Sequence, residues 1–382
     1  MKIIHLLSHT FENDEYLNYQ TTRNWASRLA ISINQYSNKY DNEVWYAVRN
    51  LKKTRFYIKN KISYRLFPAK TLSHALESFF GIIDCPQLFL QLSKENPTST
   101  IVHVQGERGS ILYTLLSRFS NFKIFIQYHG YGQPWWLEWF ATLTIRILEK
   151  KYLKRAAHFF VIVKPVQQYL LSIGIPKENI DFQNVGIDFN KFRPMNKQSV
   201  RTKLHLPHNA FIILYIGALA KNKGVDKIIN SYLKLKNKYP HMFLLFVGAK
   251  QSDPLYSLSA EYADMIVPPV KNEILPLYFN AADVYCFFGT QKTIAYGGIG
   301  TAPTEALACN INVISTNLIH LPDTIIDKVG FVPKSVAMFQ NQLESLIKNS
   351  SVRFKSRDIV APFTAFKYTT IRILKLYDKF SN

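Results

Sequence analysis

The amino-acid sequence predicts an α/β fold with two doubly wound domains that face a central cleft. Short apolar runs of strand length alternate along the 382 residues with longer stretches of helical apolar spacing. The runs lack polar alternation, which is typical of strands buried on both faces of a parallel sheet. They fall into two series, and the length suits two domains of ordinary size. In such sheets ligands bind beyond the carboxyl ends of the strands.

The first series of strands lies in a predicted N-terminal domain, residues 1–186. Its runs, in chain order, are IIHLL, EVWYAV, SYRLF, TIVHVQ, FKIFIQYH and HFFVIV. Because helical stretches separate them, right-handed crossovers would join them into a parallel sheet. The segment at 184–199, NVGIDFNKFRPMNKQS, is polar and contains a proline, so we expect a linker there.

The second series lies in a predicted C-terminal domain, residues 187–360. Its runs are FIILYIGAL, MFLLFVGAK, DMIVPP, DVYCFF and INVIST. Residues 361–382 have helical apolar spacing and predict a C-terminal helix. That helix could cap either domain, and the expectation is that it packs back on the N-terminal one.

Composition is that of a globular protein with a strong positive charge. The net charge of +21 favours nucleic acid, an anionic membrane or negatively charged small molecules as partners. Cys85, Cys286 and Cys309 lie far apart among apolar residues, so we expect buried thiols rather than metal ligands. No apolar run approaches transmembrane length, and the first residues lack the apolar core of a signal peptide. We expect a cytoplasmic protein that could rest peripherally on the inner face of a membrane.

The stretch YGGIGTAPTEALACN, residues 296–310, joins a glycine-rich turn to the start of a helix. A helix start exposes backbone N–H groups with partial positive charge, and glycines let an anion approach them closely. The stretch is a candidate phosphate cradle. A tight turn leading into a core helix is an equally favoured interpretation.

Several segments of the second half form an ordered series over residues 184–332. They are NVGIDFNKFRP, YIGALAKNKGVDKII, LLFVG, EILPLYFNAADVYCF, YGGIGTAPTEALACN, NVISTNLIHLPDTI and VGFVP. In this order and spacing they resemble the family 4 retaining glycosyltransferases. In the first half only IVHVQGERG and FKIFIQYHGYG resemble the family. The resemblance implies the GT-B fold, in which two Rossmann-like domains hold a nucleotide-sugar donor between them.

The resemblance also implies roles for individual residues. Gly298 and Gly300 would turn the backbone toward the donor diphosphate, Lys223 would donate to it, and Glu305 would accept hydrogen bonds from the ribose hydroxyls. The implied donor-binding set is Gly217, Lys223, Gly297, Gly298, Ile299, Gly300 and Glu305. Lys223 and the helix start would stabilise the leaving diphosphate without a metal, so no cofactor is expected.

Residues of the first domain are candidates for the sugar and the acceptor. His129 follows a buried strand and matches the family's histidine that contacts the donor sugar; a strand-end histidine bonded to backbone is the alternative. Trp135, Trp136 and Trp139 crowd the start of a helix-like stretch and could mark an acceptor or membrane surface, or simply a core helix.

The sequence departs from the family pattern at charged positions. Gly297 stands where the family has the first glutamate of Glu-x7-Glu, and Ala218 stands where it has an arginine that grips the diphosphate. Lys221 lies close enough in sequence to replace that arginine. Losing one charged contact costs about 1.5–3 kcal/mol of hydrogen-bond energy, a roughly tenfold to hundredfold weakening.

A basic run extends from Arg49 to Lys70, with eight basic residues, no acidic residue and interleaved aromatics. It could face an anionic membrane or a pyrophosphate-bearing lipid acceptor, or form a solvated strand pair. Nucleic acid is the least favoured partner.

The leading hypothesis is a metal-independent retaining glycosyltransferase. It would move a sugar from a nucleoside diphosphate to a hydroxyl of a glycan or lipid-linked glycan. The alternative is a non-catalytic GT-B protein that serves as a binding or stabilising subunit. The replacements at Ala218 and Gly297 favour this alternative.

Overall fold

The computed structural model describes residues 1–11, 24–71, 81–106, 109–128, 146–183, 186–290, 300–316, 318, 321–349 and 354–381. The chain forms two compact units. The first contains the described residues within 1–185 and 369–382, and the second contains those within 186–290 and 300–368.

The first unit is built on an eight-stranded sheet. Its strands are β1 (Lys2–Phe11), β2 (Asp41–Val48), β3 (Arg55–Lys59), β4 (Ile62–Pro68), β5 (Thr100–Gln105), β6 (Lys123–Tyr128), β7 (His158–Val161) and β8 (Ile180–Phe182). Their order is β3-β4-β2-β1-β5-β6-β7-β8. Strand order reverses between β1 and β5, so the topological switch point of this sheet lies at the carboxyl ends of those two strands. The predicted strands of the first series are confirmed.

Helices cover the first sheet and end with the last helix of the chain. Their bounds are Trp25–Tyr36, Pro86–Leu92, Ser110–Arg118, Lys164–Ser172 and Phe366–Ser381, with a further helical stretch at 146–152. From Thr369 onward the last helix belongs to the first unit. Thr370 bonds to Ser32, and the Tyr377 hydroxyl bonds to Nδ1 of the buried His103 on β5.

One strand of the first sheet contradicts the expected all-parallel arrangement. β3 pairs antiparallel with β4, from Arg55 opposite Leu66 to Lys59 opposite Ile62. The turn between them contains Asn60 and Lys61, both with positive φ. Such a two-residue connection returns the chain directly, so β3 becomes an antiparallel edge strand. The solvated strand pair considered for the basic run is therefore present.

The second unit is built on a five-stranded parallel sheet. Its strands are β9 (Phe211–Ile216), β10 (Met242–Val247), β11 (Met265–Val267), β12 (Val284–Phe287) and β13 (Asn312–Ser315). Their order is β11-β10-β9-β12-β13, with the switch point between β9 and β12. These strands confirm the second predicted series. The covering helices are Lys197–Lys203, Val225–Lys236, Tyr256–Tyr262, Leu275–Ala281, Ala302–Ala308, Asp323–Val329, Val336–Lys348 and Ser356–Thr364.

The segment predicted as a linker is, in its described part, a packed portion of the second unit. Ile187 and Phe192 are buried in the core of that unit. Ile187 exchanges backbone hydrogen bonds with Thr364 and Phe366, at 2.7 and 3.0 Å. The guanidinium of Arg357 donates to the carbonyls of Phe189 and Phe192 at 2.7 and 2.6 Å. The units divide between residues 185 and 186, within the predicted linker, and the polar backbone beyond that point is satisfied by partners far along the chain.

The three cysteines are free and buried, as expected. Burial raises the pKa of Cys85 and Cys309 to about 12, so both stay as thiols at neutral pH. Within the described ranges, the structure contains no helix long and apolar enough to cross a membrane.

Candidate functional site

The candidate site lies at the switch point of the second sheet. β9 ends at Ile216 and is followed by Gly217, whose φ of +138° lies outside the range that side-chain-bearing residues favour. The Tyr215 hydroxyl donates to the carbonyl of Ala218 at 2.8 Å and so stabilises the turn. The chain therefore leaves the strand through a glycine and turns across the carboxyl edge of the sheet.

A short 3-10 turn, Lys221–Lys223, follows and leads into the helix Val225–Lys236 through Gly224. Gly224 has a φ of +76°, and a Cβ built on it would lie 1.8 Å from the Phe288 carbonyl oxygen. Only glycine fits this approach to the residue that follows β12. The Thr290 N–H also donates to the Asn222 carbonyl at 3.1 Å. The loop after β9 is thus fastened to the loop after β12.

Lys223 sits on this fastened turn and is half-buried. Burial lowers the pKa of its ammonium from the usual value. Lys221 and Ala218, by contrast, are exposed. A cation that is already partly dehydrated gains more from contact with an anion than one in bulk water, because the local dielectric is lower.

Asp253 joins the loops after β9 and β10. One of its carboxylate oxygens accepts from the backbone N–H groups of Leu219, at 3.0 Å, and Lys250, at 2.9 Å. The Leu255 N–H donates to the Leu219 carbonyl at 3.0 Å. Three consecutive loops at the carboxyl edge are therefore cross-linked, which makes the position of the Lys223 turn well defined.

Glu305 lies on the other side of the switch point, in the crossover from β12 to β13. It is on the helix Ala302–Ala308, one turn from its start, and only 3% of its surface is exposed. The Thr301 hydroxyl donates to its Oε1 at 2.6 Å. Gly300, directly before that threonine, is exposed and has a φ of +63°. The buried carboxylate expected from the sequence is present here, and of the predicted glycine turn Gly300 is the residue that the structure describes.

Two groups of opposite charge therefore lie along the carboxyl edge of the second sheet. The turn after β9 presents a partly dehydrated ammonium, and the crossover after β12 presents a helix start with a carboxylate inside it. An anionic group with neighbouring hydroxyls matches that pair, because lysine suits phosphate oxygen and a carboxylate accepts from a diol.

The described residues include only part of the predicted site. Gly217, Lys223, Gly300 and Glu305 lie along the carboxyl edge of the second sheet. The remaining predicted residues, His129, Trp135, Trp136, Trp139, Gly297, Gly298 and Ile299, lie outside the described residues.

Residues that the sequence did not reveal hold the edge together. Phe288 supplies the carbonyl against Gly224, and its ring lies 4.7 Å from the Lys227 ammonium. The Thr316 hydroxyl donates to the Gly289 carbonyl at 3.1 Å and so joins the end of β13 to the same loop. The glycine of KNKG was the available signal, since a glycine before a helix indicates a close approach, but its partner is 64 positions away.

Among the described residues, the side chains at the switch point of the first sheet are neutral. The Gln127 side-chain amide donates to the Gln183 carbonyl at 2.9 Å, and the Gly106 N–H donates to the Gln127 carbonyl at 3.2 Å. A Cβ on Gly106 would lie 1.7 Å from the Ser8 hydroxyl. Among the residues that the structure describes, no cluster of three or more His, Cys, Asp or Glu side chains could hold a metal ion.

Comparison with known proteins adds a family to this geometry. Residues 196–360 match the model of the family described as "Glycosyl transferases group 1". Among curated proteins, the capsular polysaccharide biosynthesis glycosyltransferase CapM of Staphylococcus aureus is 24% identical over 227 residues, which are 56% of this chain and 58% of CapM. The chain spans about half the length of the first curated relatives it matches.

Solved structures match over nearly the whole chain. Sucrose-phosphate synthase of Thermosynechococcus elongatus has a TM-score of 0.72 at 18% identity, covering 99% of each chain. HepE of Anabaena, in complex with UDP and glucose, has a TM-score of 0.69 at 13% identity, covering 99% of this chain and 100% of HepE. These likenesses confirm the predicted GT-B class of two Rossmann-like units.

Proposed function

We propose that the chain is a divergent member of the family Glycosyl transferases group 1, whose model matches residues 196–360, and that it is a retaining glycosyltransferase. It moves a sugar from a nucleoside diphosphate donor to a hydroxyl of a glycan or lipid-linked glycan. The observation that supports this most directly is the position of Lys223 after β9 and of Glu305 in the crossover after β12, the two strands that meet at the switch point of the second sheet.

Lys223 serves the leaving group in this proposal. As the bond from the sugar to the diphosphate breaks, negative charge grows on the phosphate oxygens. A half-buried ammonium stabilises that charge more in the transition state than in the ground state, which is what accelerates a reaction. Backbone N–H groups near Gly300 assist, and the transfer needs no metal.

Glu305 serves the nucleoside. Its carboxylate accepts from Thr301, and in this proposal it also accepts from the ribose diol. HepE, a structural neighbour, was crystallised with UDP and glucose, which supports a nucleotide-sugar as the donor class. CapM is named for capsular polysaccharide biosynthesis, which supports a glycan or lipid-linked acceptor. The proposed place of work is the cytoplasmic face of a membrane.

The donor is tested by a thermal-shift screen with UDP-, GDP- and ADP-sugars on the full chain. A donor that binds only the folded state raises the melting temperature with its affinity, by about 2.7 kcal/mol of stability at a hundredfold excess over Kd. One nucleotide should stand out from the other two. A flat response to every donor contradicts the proposal.

Variants then test whether the rise in melting temperature comes from binding at Lys223 and Glu305. Lys223→Ala should weaken diphosphate binding by roughly tenfold to hundredfold, as measured by calorimetry. Glu305→Gln should weaken nucleoside diphosphate binding while leaving pyrophosphate binding unchanged. The matched control is Lys234→Ala, an exposed lysine on the adjoining helix, which should bind like wild type.

A non-catalytic GT-B protein is the second candidate, and Ala218 favours it. This exposed residue stands at the position of the family's diphosphate-gripping arginine. Such a protein could bind a donor without turning it over. Incubation of the preferred donor with a panel of sugar, glycan and lipid acceptors, with release of nucleoside diphosphate as the readout, separates the two candidates.

A further inference from the structure

The edge strand β3 exposes apolar side chains to solvent on one face. Phe56 is 54% exposed and Ile58 is 67% exposed. Strand alternation puts them on the face opposite Tyr57, which stacks on Tyr64 at 4.9 Å within the core. Two large apolar residues side by side on an exposed strand face are a docking feature rather than scattered surface residues.

Lysines lie in the turns at both ends of this apolar pair. Lys52 and Lys53 precede β3, Lys61 follows it in the turn to β4, and all three are exposed. Arg65, opposite Phe56, is instead held by Glu43, with its Nε 2.8 Å from the carboxylate. No acidic residue occurs between Arg49 and Lys70 to neutralise the lysines.

The loop before β3 also encloses a cavity of about 460 Å³. Arg49, Lys52, Lys53 and Arg55 are among its lining residues. The Thr54 hydroxyl donates to the Gln87 side chain at 2.5 Å, which fixes the loop against the helix Pro86–Leu92. A basic cavity beside an exposed apolar pair matches a phosphate headgroup beside acyl chains.

We propose that the β3 edge, defined as residues 49–61, docks on a bilayer of anionic phospholipids. Lys52, Lys53 and Lys61 attract the charged surface, and Phe56 and Ile58 enter the boundary between headgroups and acyl chains. The charge excludes the other ready occupant of an edge strand, a second copy of this chain, because the two basic edges would repel. This docking does not depend on the transfer reaction proposed above.

The test is flotation of the full chain with vesicles of phosphatidylcholine alone or with phosphatidylglycerol. Wild type should float with the anionic vesicles and not with the neutral ones. Lys52→Ser with Lys53→Ser should lower the partition coefficient about thirtyfold, at about 1 kcal/mol per basic residue near the surface. Phe56→Ser with Ile58→Ser should lower it about tenfold.

The matched control combines Leu171→Ser with Lys177→Ser. Leu171 is 40% exposed and Lys177 is exposed, and both lie between β7 and β8, at the opposite edge of the sheet. Its partition should equal that of wild type. Circular dichroism of every variant confirms folding. A Phe56→Trp variant should add blue-shifted emission on binding anionic vesicles, which reports insertion.

Three outcomes overturn the proposal. Equal binding to neutral vesicles removes the role of charge, and unchanged binding of the Phe56 and Ile58 variant removes the role of insertion. Tighter binding to single-stranded DNA than to anionic vesicles, lost in the lysine variant and kept in the Phe56 and Ile58 variant, assigns the edge to nucleic acid.

Discussion

The two sheets follow the same strand order around their first strand, but their carboxyl edges have different chemistry. Beside β9 the edge has a half-buried lysine, a helix start and a buried carboxylate. Beside β1 it has the neutral groups of Ser8, Gln105 and Gln127. Among the described residues, one backbone plan therefore carries charged groups at one edge and neutral groups at the other, and the residues at the strand ends decide which.

The interiors differ as well. Among the described residues, the second unit buries no histidine, whereas the first sheet buries His5, His103 and His158 on one face. His5 pairs with His103 in register across β1 and β5, and their ring centroids are 6.1 Å apart. The first unit should therefore respond to acid more strongly than the second, and the experiments below separate the two responses.

All five tryptophans precede residue 140, and the two that the structure describes, Trp25 and Trp45, belong to the first unit, so tryptophan fluorescence is the probe of that unit. Far-ultraviolet circular dichroism reports both units.

The largest expected effect is on the glycines that let loops approach a strand end. Gly224→Ala should destabilise the second unit by about 3 kcal/mol or more, because the Phe288 carbonyl cannot move away. Gly106→Ala should destabilise the first unit by about 2 kcal/mol, because the Ser8 side chain can partly yield. Urea titrations with the two probes measure both.

Gly300→Ala is the control for positive φ alone. Its φ is +63°, but a Cβ there has nothing within 4 Å. We expect a cost of about 1 kcal/mol. Equal losses for Gly300→Ala and Gly224→Ala would show that contact with Phe288 contributes nothing.

Acid should weaken the first unit through His5. Burial lowers the pKa of His5 from 6.5 to about 4. Above pH 6.5 the imidazole is neutral in both states and stability is full. As pH falls toward 4, the unfolded chain takes up the proton first, so the free energy of unfolding drops by up to about 3 kcal/mol. Urea titrations by fluorescence between pH 7 and 4 measure this drop.

Substitutions isolate the histidine from other titrating groups. His5→Gln should flatten the pH dependence of the fluorescence transition. His241→Gln, at an exposed histidine of the second unit, should leave it unchanged. A pH slope that persists in His5→Gln contradicts the assignment.

A smaller effect is expected at Ala218. Since the residue is exposed, an arginine there has room to reach an anion beside the Lys223 turn. Ala218→Arg should raise affinity for nucleoside diphosphates by about tenfold, as measured by calorimetry. Ala218→Gln, of similar reach but uncharged, is the control. An unchanged affinity in Ala218→Arg would mean that the loops at this sheet edge do not bind a diphosphate.

The smallest effect concerns β3, the antiparallel edge strand of the first sheet. Lys61 adopts a φ of +61° in the turn between β3 and β4. Lys61→Gly should stabilise the first unit by about 0.5–1 kcal/mol, because asparagine-glycine suits such a turn. Lys52→Gly, outside the turn, should not stabilise. The fluorescence transition in urea measures both.

Prediction from the sequence worked where the signal was local. Apolar runs revealed the buried strands, and the glycine-rich segments resembled a family whose site includes Lys223 and Glu305. β3 was anticipated only as part of a solvated strand pair, and it was absent from the predicted strand series because Phe56 and Ile58 are apolar yet exposed, so its pattern matches no buried strand. The packed segment at 187–192 was missed because Arg357, which binds its carbonyls, is 165 positions beyond Phe192.

Within the candidate site, too, local features could be predicted from the sequence and long-range contacts could not. A glycine directly before a helix, as at 224, is a local sign of a close approach, but the identity of Phe288 as its neighbour depends on the pairing of β9 with β12. The pairing of His103 with Tyr377 spans 274 positions and has no local signature. Long-range packing of this kind follows from topology, which a single sequence indicates only in outline.

The final helix has a consequence for how the protein is made. Thr370, Tyr377 and Asp378 all bond to residues of the first unit, so that unit draws on both ends of the sequence. During translation the second unit is synthesised in full before those residues leave the ribosome. The first unit must therefore wait for its last stabilising contacts until residues 370–378 have been synthesised.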